Sequence, residues 1–273
     1  MPLIVKICGL STRETLDVAL EAGADMVGFV FFPPSPRHLD LVTARALGRQ
    51  AKRRAIKVAL TVDADDATLA NIVETLQPDL LQLHGKESVA RLRDIKHKFG
   101  LPVMKAIAIE TAADIAALPG YADVADRILF DARAPDSATR PGGLGAVFDW
   151  HALEHLDLSV PFMVSGGLDA GNVAEAVRVT RAGGVDVSSG VERAAGIKDA
   201  DMIRDFIRAA RAIGPNSHLP VYGERSDRSG DPGEESPRSH LSASLRDQPL
   251  TPTLSPQERG EGVETARRHG NKS

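Results

Sequence analysis

Two reactive side chains, a thiol and a carboxylate, each stand at the end of a predicted strand. Cys8, the only cysteine in 273 residues, lies where the first strand runs into Lys6-Ile7-Cys8-Gly9. A thiol is either an inert buried group or, once ionised, a nucleophile or a base. Asp131 follows Leu129-Phe130, where a carboxylate interrupts an otherwise apolar run. The alternatives for Asp131 are a helix cap or a loop salt bridge with Arg133.

Two further segments suit ligand binding. The loop Pro33-Pro34-Ser35-Pro36-Arg37-His38 is stiffened by its prolines, so Arg37 is presented at low entropic cost. A guanidinium binds a carboxylate through two parallel hydrogen bonds, although a loop arginine can also be merely solvated. In Leu81-Gln82-Leu83-His84-Gly85, the alternation of a strand puts Gln82 and His84 on one face. A polar pair in this position suggests contact with a ligand.

Two glycine-rich turns come late in the chain, Ser165-Gly166-Gly167-Leu168 and Asp186-Val187-Ser188-Ser189-Gly190-Val191-Glu192. Glycine lets backbone N–H groups approach a phosphate closely, and the serine hydroxyls add donors. The candidate binding residues in these turns are Gly166, Gly167, Asp186, Ser188, Ser189 and Gly190. A third turn, Pro141-Gly142-Gly143-Leu144-Gly145, suits a loop that folds over a ligand, or simple loop flexibility.

A repeated architecture must position these residues. Positions 1 to 213 alternate short apolar runs with longer segments of helical period, which is typical of βα units on a parallel sheet. Eight strands are predicted, at Leu3–Ile7, Met26–Phe32, Ile56–Val62, Leu80–Leu83, Pro102–Ile107, Arg127–Phe130, Phe162–Val164 and Val185–Val187. Eight units in so short a chain favour a closed (β/α)8 TIM barrel over a doubly wound sheet. Because such barrels carry their active sites at the carboxyl ends of the strands, this position favours a chemical role for Cys8.

The composition excludes several classes of protein. The chain is 42% hydrophobic and 26% charged with a formal net charge of -4, so it can bury a core and has no general attraction for nucleic acid. No apolar run is long enough to span a bilayer, and no secretory leader is evident, so we expect a cytoplasmic protein that is a monomer or homodimer. A single cysteine excludes an internal disulfide and a cysteine-rich zinc site.

Positions 214 to 273 differ from the rest in composition. Proline, serine, arginine, glutamate and glycine dominate, as in Thr251-Pro-Thr-Leu-Ser-Pro-Gln-Glu-Arg-Gly-Glu-Gly. Such a segment buries too little apolar area to offset the conformational entropy lost on ordering. We therefore predict a catalytic domain over 1–213 and a disordered extension over 214–273.

The joint order of several motifs resembles the phosphoribosylanthranilate isomerase family across positions 3 to 211. The motifs are VKICG, GFVFFPPSPRHL, LQLHG, LFDAR, GGLGAVFDW, SGGL, DVSSGVE and GIKD. The resemblance implies that Cys8 is the general base and Asp131 the general acid, and that Arg37 binds the anthranilate carboxylate. It also implies that the late glycine and serine turns hold a phosphate, and that His84 is a neighbour of the substrate.

The reaction implied by this resemblance is an Amadori rearrangement of N-(5-phosphoribosyl)anthranilate, in tryptophan biosynthesis. It needs two proton transfers and neither a metal nor a coenzyme. A cation near Cys8 would favour the thiolate. Lys6 shares strand parity with Cys8, so we expect it in the barrel, close enough also to pair with Asp131.

Two alternatives remain at this stage. One is another ribosyl-phosphate aminoaldose isomerase, of the histidine-pathway type, which uses two aspartates. The other is a non-catalytic barrel that binds a phosphate ligand. The thiol at position 8 favours the tryptophan-pathway interpretation over the first, and the presence of both Cys8 and Asp131 argues against the second.

Overall fold

Eight parallel strands close into a barrel in chain order, with the last strand pairing with the first. The computed structural model describes residues 2–110, 114–115, 118–132, 142, 148–154, 156 and 158–213. The predicted TIM barrel is thereby confirmed. The barrel strands are β1 (Ile4–Cys8), β2 (Met26–Phe31), β3 (Ile56–Thr61), β4 (Leu80–Leu83), β5 (Val103–Ile109), β6 (Arg127–Ala132), β7 (Phe162–Val164) and β8 (Gly184–Val187).

Three strands, β1, β5 and β6, end further along the chain than predicted, and the ends of β1 and β6 matter for the site. β1 ends at Cys8, which is in register with Gly28 of β2. β6 includes Asp131, which is in register with Ala108 of β5. Backbone pairing with the neighbouring strand decides where a strand ends, and a polar side chain does not interrupt that pairing. Both reactive residues are therefore fixed by a barrel strand instead of by the loop that follows.

Helices cover the outside of the barrel. They are α1 (Arg13–Glu21), α2 (Leu41–Ala51), α3 (Asp66–Leu76), α4 (Val89–Phe99), α5 (Leu118–Ala122), α6 (Val173–Thr180) and α7 (Ala200–Arg211). Side chains that accept a backbone N–H begin five of them: Thr12, Asp40, Asp65, Ser88 and Asp199. The helical period predicted between the strands is visible in α3, α6 and α7, each of which buries an apolar stripe. A hairpin absent from our prediction, β9 (Glu192–Ala194) with β10 (Ile197–Lys198), follows β8.

A small apolar cluster made only of strand residues fills the barrel interior. Its members are Met26, Val58, Leu80, Met104, Ala106, Leu129 and Met163. Because alternate strand residues face inwards, the residues two positions further along these strands also face the interior. That next layer, at the carboxyl end of the barrel, contains several polar side chains.

Several predictions fall on positions outside the described ranges. These are Arg133, most of the turn at 141–145 and the extension at 214–273. Among the helices of the described residues, none combines the length and hydrophobicity that crossing a membrane requires.

Candidate active site

The polar interior layer contains four side chains that are almost fully buried: Lys6, Gln82, Asp131 and Asp186. They come from β1, β4, β6 and β8, so the layer extends around the barrel. Cys8 and His84 lie two residues beyond Lys6 and Gln82, and therefore on the same side of their strands. Buried polar groups in this density must be paired or carry a chemical task.

Cys8 and Lys6 lie together beside a glycine of the neighbouring strand. A Cβ placed on Gly28 would lie 2.8 Å from Cys8 Sγ and 3.1 Å from Lys6 Nζ. Any larger residue at this position would push into both groups. Burial raises the pKa of the Cys8 thiol above its usual value, and the opposing effect of the Lys6 ammonium is too small to reverse that shift. The thiol thus has a cation beside it, as expected, but it remains predominantly protonated near neutrality.

Lys6 forms its ion pair with Asp186, and the expectation that it would pair with Asp131 is wrong. Lys6 Nζ lies 2.9 Å from Asp186 Oδ1, across the β1–β8 seam, where the two residues are in register. Burial lowers the pKa of Lys6, but its attraction to Asp186 and Cys8 outweighs burial and leaves the pKa raised. Burial also raises the pKa of Asp186, and the nearby Asp131 carboxylate raises it further.

Asp131 is paired instead with His84. His84 Nε2 lies 3.2 Å from Asp131 Oδ2, while Asp131 Oδ1 accepts the backbone N–H of Ala132 at 3.0 Å. The other ring nitrogen, His84 Nδ1, lies 3.1 Å from Gln82 Nε2. The polar face predicted for β4 is thus directed at the candidate acid.

The backbone of Gly142 closes over this pair. A Cβ at Gly142 would overlap Asp131 Oδ2 and would lie 2.9 Å from His84 Nε2. A larger residue here would require the carboxylate or the imidazole to move. This is the one described residue of the predicted covering turn.

Arg37 is buried and belongs to a cluster of charges that the sequence did not indicate. Its Nε and Nη2 atoms each donate to a carboxylate oxygen of Glu192, both at 2.7 Å. Lys198 Nζ lies 2.8 Å from Glu192 Oε1 and also donates to the backbone oxygen of Ser188 at 2.8 Å. Ser188 Oγ in turn donates to the backbone oxygen of Cys8 at 3.2 Å. Arg37, Glu192 and Lys198 thus form a cluster of charges, and the Lys198 ammonium acts to lower the pKa of the nearby thiol.

The two late glycine turns pack against each other through their backbones. A Cβ on Gly190 would overlap the backbone oxygen of Leu168, so no other residue fits without moving one turn. Gly166 and Gly167 have φ angles of 88° and 60°, which side chains disfavour. Ser189 begins the short 3-10 helix Ser189–Val191 between the turn and the hairpin. The predicted glycine and serine residues are therefore neighbours at the mouth of the barrel.

The described residues contain no cluster of histidine, cysteine, aspartate and glutamate able to hold a metal ion. The arrangement offers a thiol and a carboxyl group that can exchange protons with a ligand, with cations nearby.

Comparison with known proteins gives this arrangement its chemical context. The family model of N-(5'phosphoribosyl)anthranilate (PRA) isomerase matches residues 5–209. The N-(5'-phosphoribosyl)anthranilate isomerase of Bradyrhizobium sp. (strain ORS 278) is 77% identical over 212 residues, which cover 78% of this chain and 97% of that relative. The chain belongs to the phosphoribosylanthranilate isomerase family.

Solved structures of phosphoribosylanthranilate isomerases have the same barrel. The enzyme from Thermotoga maritima is 34% identical with a TM-score of 0.70, covering 77% of this chain and 98% of that one. A second solved isomerase, 31% identical with a TM-score of 0.66 and the same coverage, is in complex with reduced 1-(O-carboxyphenylamino)-1-deoxyribulose 5-phosphate. Membership of the phosphoribosylanthranilate isomerase family confirms the resemblance seen in the motifs, and makes the chain an aldose-ketose isomerase instead of a binding barrel.

Proposed function

We propose that the chain converts N-(5-phosphoribosyl)anthranilate to 1-(2-carboxyphenylamino)-1-deoxyribulose 5-phosphate, with Asp131 as general acid and Cys8 as general base. The family supplies the reaction, an Amadori rearrangement in tryptophan biosynthesis. One observation carries the assignment of the two residues. The thiol and the carboxylate face the same buried polar end of the barrel, and each has a partner that can carry positive charge, Lys6 beside Cys8 and His84 beside Asp131.

In the first step, Asp131 donates a proton to the ring oxygen of the phosphoribosyl group. The bond between that oxygen and the anomeric carbon breaks as the anthranilate nitrogen lone pair forms an iminium. The carboxylate left on Asp131 accepts a hydrogen bond from the Ala132 N–H and remains beside His84.

In the second step, the Cys8 thiolate removes the proton from the carbon beside the iminium. The electron pair of that C–H bond moves towards the iminium nitrogen and gives an enolamine, which relaxes to the ketone. Thiolate formation is opposed by burial and favoured by Lys6 and Lys198, so these two lysines are part of the machinery that makes the base available.

Substrate binding uses the charges and turns around the mouth. We propose that Arg37 binds the anthranilate carboxylate, with Glu192 fixing the orientation of the guanidinium. We propose that the phosphate is held by backbone N–H groups and hydroxyls of the paired turns, at Gly166, Gly167, Ser188, Ser189 and Gly190. Asp186 is proposed to contact the sugar.

We also propose that the protein works in the cytoplasm as a monomer or homodimer, on small phosphorylated molecules and without nucleic acid. A reducing compartment suits a mechanism that depends on a free thiol.

The test is to measure the isomerase kinetics of Cys8→Ala and Asp131→Asn with phosphoribosylanthranilate, whose fluorescence is lost on conversion. Each change removes one proton-transfer group, so we expect kcat to fall by about 10² to 10⁴-fold with a smaller change in KM. Asp17→Asn, an exposed carboxylate on α1, is the matched control and should be unaffected. Near-normal kcat in a folded Cys8→Ala protein would refute the assignment.

A further inference from the structure

The strongest unexplained feature of the barrel is the fully buried amide of Gln82. Its Nε2 atom is hydrogen-bonded to His84 Nδ1, but its Oε1 atom is buried and has no hydrogen-bond partner among the residues that the structure describes. A buried acceptor without a donor is destabilising, because the group has lost its water and gained nothing in return. A methionine or leucine would fill the same space without that cost, so the amide calls for an explanation in terms of what it touches.

Gln82 contacts His84, which is the partner of the candidate acid Asp131. The atoms form a continuous row: the Gln82 amide, the two ring nitrogens of His84, and Asp131 Oδ2, with separations of 3.1 and 3.2 Å. Gly142 lies close to the far end of this row.

Other charged groups face the row from the adjoining strands. Asp186 of β8 interacts with both Asp131 and His84, and its partner Lys6 lies on β1 together with Cys8. On the other side, Lys105 of β5 donates to the backbone oxygens on either side of His84 and forms an ion pair with Glu87. Both lysines are thus already paired with a carboxylate, Lys6 with Asp186 and Lys105 with Glu87.

We propose that Gln82 and His84 are positioning residues that act through Asp131: His84 holds the proton that Asp131 delivers, and the Gln82 amide stabilises the protonated ring. The inference rests on the proposed role of Asp131 as general acid. A free carboxyl group releases its proton near pH 3.9, whereas a free imidazole keeps one to about pH 6.5. A carboxylate in contact with an imidazole can therefore draw on a proton at a pH where a carboxyl group alone would have lost it.

The proton balance is simple. Before ring opening, His84 carries protons on both ring nitrogens, and Asp131 is ionised. The Nε2 proton moves to Asp131 Oδ2, and Asp131 gives a proton to the ring oxygen as the bond to the anomeric carbon breaks. The pair ends as carboxylate and an imidazole protonated only on Nδ1, one proton poorer, and Nε2 regains its proton from solvent, while Cys8 gains the proton taken from carbon. The two sites therefore exchange one proton with solvent between turnovers.

The amide is suited to serve both states of the ring. When His84 is neutral, Gln82 Nε2 donates to an unprotonated Nδ1, as in the structure. When Nδ1 is protonated, a half-turn of the amide brings Oε1 to it as an acceptor. One end of the amide lacks a partner in either orientation, so the protonation of His84 decides which end faces the ring.

The direct test is ring-nitrogen NMR of the full chain with isotope-labelled histidine, recorded against pH without substrate. The His84 signals are identified by their loss in His84→Gln. We expect Gln82→Met to lower the pH at which the ring takes up its second proton by about one pH unit, the equivalent of one hydrogen bond to a charged group. Gln82→Glu keeps an acceptor and should not lower it. An unchanged titration in Gln82→Met would overturn the proposal.

Kinetics supply the second readout. Because the pair must be protonated while the Cys8 thiol must be ionised, a weaker hold on the pair's proton should lower kcat relative to the wild type at higher pH and leave it near the wild type at lower pH. We expect this in Gln82→Met and His84→Gln but not in Gln82→Glu. We expect His84→Gln to lose about 10²-fold in kcat at pH 8 and much less at pH 6. His97→Gln, on the exposed face of α4, is the matched control. A uniform loss at all pH values would show that His84 is only structural, whereas a wild-type protein without isomerase activity would refute the proposed function and leave the NMR result standing.

Discussion

At the scale of single residues, the central difficulty is to obtain a thiolate in a buried site. Lys6 and Lys198 both act against the effect of burial on Cys8, but they differ in how they titrate. Burial lowers the pKa of Lys198 to about 8, so this ammonium loses its charge as the solution becomes mildly alkaline. The pKa of Lys6 is raised, so it stays charged over the range in which the thiol ionises. Lys6 is therefore the cation that supports the base at alkaline pH.

Replacing Lys6 with methionine should raise the pKa of Cys8 further, because the nearest positive charge is lost. The acid limb of kcat/KM reports the free enzyme, and we expect it to move to higher pH. A tenfold weaker ionisation of the thiol corresponds to about 1.4 kcal/mol of lost interaction with the thiolate. Since Cys8 is the only cysteine, the ultraviolet absorbance of its thiolate can be titrated directly, with Cys8→Ser as the blank.

This experiment needs a variant that folds, because Lys6→Met leaves Asp186 buried without its cation, at a cost of about 3 to 5 kcal/mol. The comparison of Asp186→Asn with the double variant Lys6→Met/Asp186→Asn removes that problem, since the two differ only at Lys6. Lys57→Met replaces a buried lysine that bonds to the backbone oxygen of Gln77, away from the site, and should have no effect on the thiol. If Cys8 ionises at the same pH in Asp186→Asn and in the double variant, Lys6 does not tune the thiol.

Residues next to strands were easier to predict than residues that act through a partner. Cys8 and Asp131 could be singled out because a reactive group at the end of an apolar run is unusual. Glu192 and Lys198 occur within the motifs DVSSGVE and GIKD, but charged residues in a predicted loop have the composition of a solvated surface. Only the hairpin that buries them shows that they form an ion pair with each other and hold Arg37.

At the scale of elements, the two turns that follow β7 and β8 act as one unit. The contact of Gly190 with the backbone of Leu168 fixes the distance between them, and Gly166 packs closely on the backbone of Ala132, next to the candidate acid. A phosphate held by these turns would thus be positioned relative to Asp131 through backbone contacts alone.

Gly190→Ala should separate the two turns, because its Cβ would overlap the backbone oxygen of Leu168. We expect KM for phosphoribosylanthranilate to rise by about tenfold or more, the equivalent of losing one hydrogen bond to a charged group, with kcat less affected. Inhibition by inorganic phosphate should weaken in parallel. Gly183→Ala, where the new Cβ would make an ordinary 3.7 Å contact, is the control. If Gly190→Ala retains normal KM and phosphate inhibition, the turns do not form the phosphate site.

The barrel strands and the helical segments between them could be predicted because each is long or apolar enough to show its period. The hairpin of β9 and β10 could not, since strands of three and two residues are too short for alternation to be visible. The sequence likewise ended β6 at Phe130, because a carboxylate resembles the start of a loop, whereas pairing with β5 continues through Ala132.

At the scale of the whole molecule, closure of the barrel determines which charges meet. Lys6 and Asp186 are 180 residues apart and become partners because β1 pairs with β8 in that register. Strand parity alone placed Lys6 in the interior but could not choose between Asp131 and Asp186. The choice depends on the register at the seam, which no local pattern records.

The contacts of α7 with the barrel indicate which residues the folded domain requires. Arg211, the last residue of α7, donates to the backbone oxygen of Gly23 and to Asp25 Oδ2, both at 2.7 Å, and so joins the final helix to the loop between α1 and β2. The face of α7 that packs on the barrel carries Ile203, Phe206, Ile207 and Ala210, all buried. The family match ends at residue 209, and 212 aligned residues account for 97% of the Bradyrhizobium enzyme.

We therefore predict that a chain ending after residue 213 keeps its isomerase activity, with kcat/KM within about twofold of the full chain and a Tm within about 3 °C, which corresponds to less than about 1 kcal/mol. Removing residues 214–273 takes away a segment whose composition offers little apolar area to bury. A chain ending after Asp199 is the informative contrast, because it loses α7 and exposes the strands that α7 covers, and it should fail to fold. A large loss of Tm or activity in the longer truncation would mean that the extension stabilises the barrel, contrary to its composition.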